Sequence, residues 1–193
     1  MSENKQNRFS KALNLRRMSV RELCIMAMLV AITIALSYVS GFLRIGDSIK
    51  FNISFISVYI GAVLFGPIAG GVIAAMADVI SFVANPTGAF IPVFTVMEFI
   101  NGMFFGLLLF NPDSEKRSLI KVFVLALLCA SLQFGVNMFW RTYELARLYY
   151  GGHFMPQFVF RLPGNVAMII CKVAVIMMLE NHVCQLKKLV QNK

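Results

Sequence analysis

Charge is what this sequence has least of. Only 14% of its 193 residues are charged, where a soluble domain of this size carries roughly 25%. Acidic residues are scarcer than basic ones, 9 Asp and Glu against 18 Lys and Arg. A net charge of +9 would suit nucleic acid, but 59% of the residues are hydrophobic and gather in runs too long for a soluble core. That excludes nucleic acid as the primary partner and points to a lipid bilayer. The four cysteines, Cys24, Cys129, Cys171 and Cys184, show no CxxC or metal spacing and lie in apolar runs or near the basic carboxyl terminus, so they are assigned to packing. His153 and His182 are too far apart for a metal pair, and no Ser, His and Asp share one depth. Nothing in the chain argues for an enzyme, a metal or a cofactor. Gly66 and Gly71 have the outer spacing of a phosphate-binding loop, but Val72 stands where lysine is required, so no ATP site is expected.

Long apolar runs are what the chain does have, and they predict an all-α integral membrane protein of six spans. The first run, Leu23 to Leu43, carries no charge and follows a basic tail over 1–21 with Lys5, Arg8, Lys11, Arg16, Arg17 and Arg21. It is too long for a signal peptide and is read as a retained helix over 22–43. From Lys50 to Asp113 the only charges are Asp78 and Glu98, and breaks at Gly66-Pro67 and Asn85-Pro86-Thr87-Gly88 divide the stretch into spans at 51–65, 68–84 and 91–110. A polar loop with Asp113, Glu115, Lys116 and Arg117 precedes a fifth span at 119–140, a wetter segment from Arg141 to His153, and a sixth span at 155–183. The membrane domain is thus 22–184, with a tail at 185–193. Counting Lys and Arg by side places twelve on the face that carries both termini and five on the other, with Lys172 inside the sixth span. Both termini are therefore expected in the cytoplasm, the basic tail acting as topogenic charge and lipid headgroup contact.

Small residues recur at helical spacing. Ala27, Ala31 and Ala35 form a strip on the first helix, read as a contact either for a partner helix or within the bundle, and Gly102 with Gly106 make a GxxxG read as internal packing. Ionisable residues inside spans are costly and so are candidate functional groups. Asp78 and Glu98 fall in one layer, about 10 Å below the outer surface at about 1.5 Å per residue. Asn101 lies a turn below Glu98, Gln133 and Asn137 make a second amide pair, Trp140 and Arg141 cap the fifth span, and Arg161 and Asn165 sit at i, i+4 on the sixth, with Lys172 deeper. With Phe90, Phe94 and Tyr143 nearby, the array suits a planar, polar, anionic small molecule. The alternative for Asp78 or Glu98 is a structural ion pair with Lys172.

These residues also carry a resemblance. Ile49-Lys50-Phe51-Asn52-Ile53-Ser54, Leu64-Phe65-Gly66-Pro67-Ile68-Ala69-Gly70-Gly71, Ala75-Met76-Ala77-Asp78, Asn85-Pro86-Thr87-Gly88-Ala89-Phe90 and Phe94-Thr95-Val96-Met97-Glu98-Phe99 occur in order. The stretch resembles the substrate-binding S component of energy-coupling factor (ECF) vitamin transporters, and within them the folate-type group. The resemblance is strong from Arg44 to about Phe110 and elsewhere rests on topology. It implies a multi-pass protein of the bacterial plasma membrane that binds a vitamin near the outer face, using helices four to six and the loops after the first, third and fifth spans. It implies no ATPase of its own, energy instead coming from a membrane scaffold, EcfT, and two cytoplasmic ATPase subunits. Ala27, Ala31 and Ala35 would match the family's strip facing that scaffold, and transport would proceed by toppling of the S component in the bilayer. Folate is the expected ligand; pantothenate or a thiamine precursor are alternatives, and a stand-alone carrier with a proton relay of Asp78, Glu98 and Lys172 is a reading from another class.

The loop from Gly41 to Asn52 carries Arg44, Asp47 and Lys50, is long for a bundle connection, and is expected to act as a lid. Within the site, depth is expected to order the roles. Glu98, Asn101 and Asn137 would read a pterin head, Phe94 and Trp140 would form walls, and Arg44, Arg141 or Arg161 would hold the glutamate tail. Lys50, Asp78 and Asn165 complete the candidate set.

Overall fold

The computed structural model describes residues 19–42, 44–45, 49–50, 52–84, 90–111, 117–149 and 154–191. Its elements are α1 (Val20–Phe42), β1 (Arg44–Ile45), β2 (Ile49–Lys50), α2 (Phe55–Phe65), α3 (Pro67–Ala84), α4 (Pro92–Leu109), α5 (Leu119–Gly135), a π-helical turn (Val136–Arg141), α6 (Thr142–Tyr149) and α7 (Phe154–Gln191). Among the described residues, five stretches are long and apolar enough to cross a membrane: Val20–Ser40, Pro67–Ala84, Pro92–Leu109, Leu119–Leu148 and Phe154–Glu180. Most of the basic tail at 1–21 and the end of the tail at 185–193 lie outside the described residues.

The helix boundaries follow from local chemistry. Ser19 accepts the Leu23 N–H on its carbonyl and donates its own N–H to Glu22 Oε2 at 2.9 Å, half of a capping box that starts α1. Gly66 takes φ 101°, a left-handed value that a side chain would strain, and Pro67 follows in the first turn of α3. The two residues reverse the chain with no loop between α2 and α3. Pro92 opens α4 in the same way, and Arg117 closes it by donating to the Leu109 and Phe110 carbonyls at 3.1 and 3.0 Å.

The second span is the main departure from the expected boundaries. Instead of 51–65, α2 covers 11 residues, about 16 Å, and cannot cross a hydrocarbon core of about 30 Å alone. The reason is a turn at Asn52, whose side-chain oxygen accepts the Ser54 N–H at 3.0 Å and competes with helix formation. The Ile53 N–H donates to Ser40 Oγ at 2.9 Å and the Ser57 hydroxyl to the Leu29 carbonyl at 2.8 Å, fastening α2 to α1. Eight of its residues are buried, so α2 is an interior helix and α1, α3, α4 and α7 surround it. Within the wetter segment after the fifth span, Thr142–Tyr149 is helical. The last helix runs from Phe154 to Gln191, through Pro163.

Packing inverts the soluble pattern. On α5 the small Ala126, Cys129 and Ala130 face inward together with Val122 and Gln133, while Ile120, Phe123, Val124, Leu127 and Leu128 are exposed. Large apolar side chains outside and small ones between helices are what a lipid-facing bundle requires, because lipid is as apolar as leucine and close packing is what joins the helices. The closest approach joins α3 to α4: a methyl on Gly102 would meet the carbonyl carbon of Gly70 at 2.8 Å, and one on Gly106 would overlap the backbone of Pro67. Gly102 and Gly106 therefore serve internal packing. Ala27, Ala31 and Ala35, by contrast, are exposed on α1, and the reading of them as internal packing does not hold.

Candidate functional site

Asp78, Glu98, Gln133, Asn137, Arg141, Arg161, Asn165 and Lys172 each make a polar contact, and together these contacts link α3, α4, α5, the π-helical turn, α6 and α7. On α3, Asp78 accepts the Thr95 hydroxyl of α4 at 2.7 Å. One turn along α4, Glu98 Oε1 accepts Arg141 Nη1 at 2.7 Å in an ion pair whose partners are about a quarter exposed. The same guanidinium lies 5.5 Å from the Phe94 ring centroid and donates to Asn137 Oδ1 at 3.4 Å. Gln133 Nε2 donates to the Asn101 carbonyl at 2.9 Å, and its Oε1 accepts Lys172 Nζ at 2.6 Å. Asn165 Nδ2 reaches Met138 Sδ at 3.4 Å, and Arg161 donates to the Thr142 hydroxyl at 3.2 Å.

The π-helical turn aims these groups. A π turn admits one more residue than an α turn and leaves backbone acceptors to be satisfied locally. Here the Thr142 hydroxyl donates to the Asn137 carbonyl at 3.3 Å and the Asn137 amide to the Gln133 carbonyl at 2.9 Å. Gln133, Asn137 and Arg141 are thereby joined in series, from the buried glutamine to the partly exposed arginine. Asn101 is 8% exposed, and its Oδ1 is buried without a hydrogen-bond partner among the described residues. Such an orphan acceptor is rare in a folded protein and marks a place where a donor is wanted.

The structure brings Asp78, Phe94, Glu98, Asn101, Asn137, Arg141, Arg161 and Asn165 into this linked set, and departs from the expected arrangement in three respects. Glu98 and Arg141, expected at opposite ends of the ligand, hold one another, because the long arginine side chain reaches back past Asn137 to the carboxylate. Lys172 pairs with neither Asp78 nor Glu98; it bonds Gln133, which sequence distance had concealed. Trp140 is 42% exposed and Tyr143 55%, and neither makes a described contact with Phe94. Phe90 packs on Phe82, centroids 5.1 Å apart. Arg44 and Lys50 lie opposite one another in the β1–β2 pair, so the expected lid loop contains a short antiparallel hairpin; Gly46, Asp47 and Ser48 lie outside the described residues. Two polar partners had no place in the expected site. Thr95, one turn before Glu98, was visible as a polar neighbour on that face. The Tyr59 hydroxyl donates to Glu180 Oε2 at 2.6 Å across 121 residues, and its only signal was an acid near the end of an apolar span.

Membrane-length helices enclosing a layer of charged, amide and aromatic groups define a polytopic membrane protein with a polar interior site. A family model described as the substrate-specific component of the ECF transporter matches residues 21–180, and the chain belongs to that family. Among relatives, the folate transporter FolT of Clostridium novyi is 32% identical over 81 residues, 42% of this chain and 47% of the relative, so the match spans about half of that protein. The folate transporter FolT of Leuconostoc mesenteroides is 29% identical over 145 residues, 74% of this chain and 73% of the relative. A crystal structure of FolT bound with folic acid superposes with a TM-score of 0.69 at 22% identity, covering 86% of this chain and 98% of the other, and shows the shared fold.

Proposed function

We propose that this chain is the folate-binding subunit of an ECF importer in the bacterial plasma membrane, with both termini in the cytoplasm. The observation that carries the reading is the Glu98–Arg141 pair beside Phe94, one turn from the buried orphan acceptor of Asn101. A pterin presents adjacent N–H donors on a flat edge much as a guanidinium does, so the carboxylate that accepts Arg141 in the free protein can accept that edge in the complex. The displaced Arg141 is then available to an anionic part of the ligand. Asn101 and Asn137 add amide contacts, Phe94 and Trp140 flat walls, and Arg161, Asn165, Arg44 and Lys50 the rim, with Asp78 holding Thr95 in place. FolT as a name shared by both relatives supports folate over pantothenate or a thiamine precursor.

Energy is proposed to come from the EcfT scaffold and two cytoplasmic ATPases rather than from a proton relay. Asp78, Glu98 and Lys172 each engage a different partner, which gives such a relay no direct connection. The exposed Ala27, Ala31 and Ala35 offer the scaffold a smooth helix face. Two measurements test this. Titration calorimetry of the purified chain against a vitamin panel should give tight binding of folic acid, and binding of another vitamin in its place would overturn the assignment. Vesicles holding this chain alone should bind folate without accumulating it until scaffold and ATPases are added, and Ala31→Trp should abolish that uptake with affinity changed less than about twofold. Proton-driven uptake by the chain alone would refute the coupling.

A further inference from the structure

Lys172 has no place in the contacts proposed so far, yet its surroundings are unusual for a cation inside a span. Its Nζ donates to Gln133 Oε1 at 2.6 Å and lies 5.9 Å from the Phe55 ring centroid, and no carboxylate is within 4.0 Å among the described residues. A cation at this depth ordinarily pairs with an acid or faces a cavity. Gln133 and Phe55 both belong to the interior, on α5 and α2, so the ammonium sits inside the bundle although the residue as a whole is partly exposed. Glu98 and Arg141 are close enough for their charges to act on it. An ammonium has three N–H bonds, of which the contact to Gln133 uses one.

Gln133 is oriented by the same contact. Lys172 has no acceptor to offer, so the glutamine must turn its oxygen toward Nζ, and its amide nitrogen then points at the Asn101 carbonyl of α4. Lys172 thus fixes an amide from one helix against the turn of α4 that carries Glu98 and the orphan Asn101 oxygen. The layer then holds acceptors, Glu98 and Asn101 Oδ1, together with the spare donors of Lys172.

We propose that Lys172 is a specificity-determining residue that donates to the ring carbonyl of a 2-amino-4-oxo pyrimidine edge whose N–H groups rest on the Glu98 side. The inference rests on the folate reading above and adds what the site discriminates. A ligand with a ring amine in place of that carbonyl would set donor against donor, and a mismatch of this kind is penalised more than a merely absent contact because a buried polar group loses its partner.

The test compares folic acid with its 4-amino-4-deoxy analogue, which exchanges the carbonyl for an amine, by titration calorimetry on the detergent-purified full chain. The wild-type chain should prefer folic acid by about 10- to 100-fold, the range expected for one hydrogen bond to a charged group. Lys172→Met should weaken folic acid by a similar factor, leave the analogue within about threefold, and so bring the ratio close to one. Equal wild-type affinities would overturn the inference, as would a variant that weakens both ligands alike, the signature of a purely structural lysine. Should Lys172→Met fail to fold, Lys172→Gln takes its place, with the same fall in the ratio expected and an unchanged ratio overturning the inference. Absence of any folic acid binding by the wild type would instead refute the folate reading and this inference with it, whereas tight folic acid binding at a ratio near one refutes this inference only.

Discussion

Two helix contacts that share α4 are built on opposite terms. At Gly102 and Gly106, α4 meets α3 backbone to backbone, lying on Gly70 and Pro67 with no room for a methyl group. Against α5 and the π-helical turn it is reached by long polar side chains, Gln133 to the Asn101 carbonyl and Arg141 to Glu98, with Lys172 of α7 supporting the first. The glycine contact has a single fitted geometry and no alternative partner, so it fixes the frame. The polar contact is made by groups that can exchange partners without moving a helix axis. A ligand that must enter a bilayer-embedded bundle, be held and be released is best served where α4 meets α5 and the π-helical turn.

The largest effect should come from the rigid contact. Gly102→Leu drives a side chain into the backbone of Gly70, which cannot yield as a side chain could, and should cost about 3 kcal/mol or more, enough to abolish monodisperse protein in gel filtration. A wild-type melting temperature would show that the α3–α4 approach is not essential. Next in size, Glu98→Gln should lower folate affinity about 10- to 100-fold, as loss of a charged hydrogen bond does, while Arg161→Ala, placed at the rim where ion pairs are screened, should cost less than about fivefold. Equal losses in calorimetry would mean that the site is not centred on Glu98. The smallest effect is expected away from both contacts. Tyr59→Phe removes the hydroxyl that bonds Glu180 and should lower stability by about 1 to 2 kcal/mol in thermal unfolding with folate affinity unchanged; a fall in affinity would reveal communication between that bond and the polar layer.

Most of the frame was legible in the sequence. Charge-free runs and the Gly66-Pro67 break placed the helices because bilayer thickness and proline chemistry act on local composition alone. The short α2 was not, since its start depends on the Asn52 side chain choosing a turn and on Ser40 of another helix receiving the next N–H. In the site, spacing sufficed to put Glu98 with Asn101 and Gln133 with Asn137, because residues three and four apart share a helix face. It could not say that Arg141 would bond Glu98, 43 residues distant, or that Lys172 would choose an amide over an acid. Those choices depend on helix rotation, which the π-helical turn alters and which leaves no mark in hydropathy.

That turn also lets the helix hold an additional residue without changing how its two ends face. A π turn advances by less than the roughly 100° per residue of an α-helix, so the six residues from Val136 to Arg141 cover about the rotation that five would in an α-helix. Deleting one residue there would restore a regular helix with Gln133 and Thr142 still on their present faces and would regroup only the side chains between them, Asn137 and Arg141 among them. A single codon lost or gained would therefore change the lining of the site in one step, a change of ligand range available to a lineage that leaves the helical frame untouched.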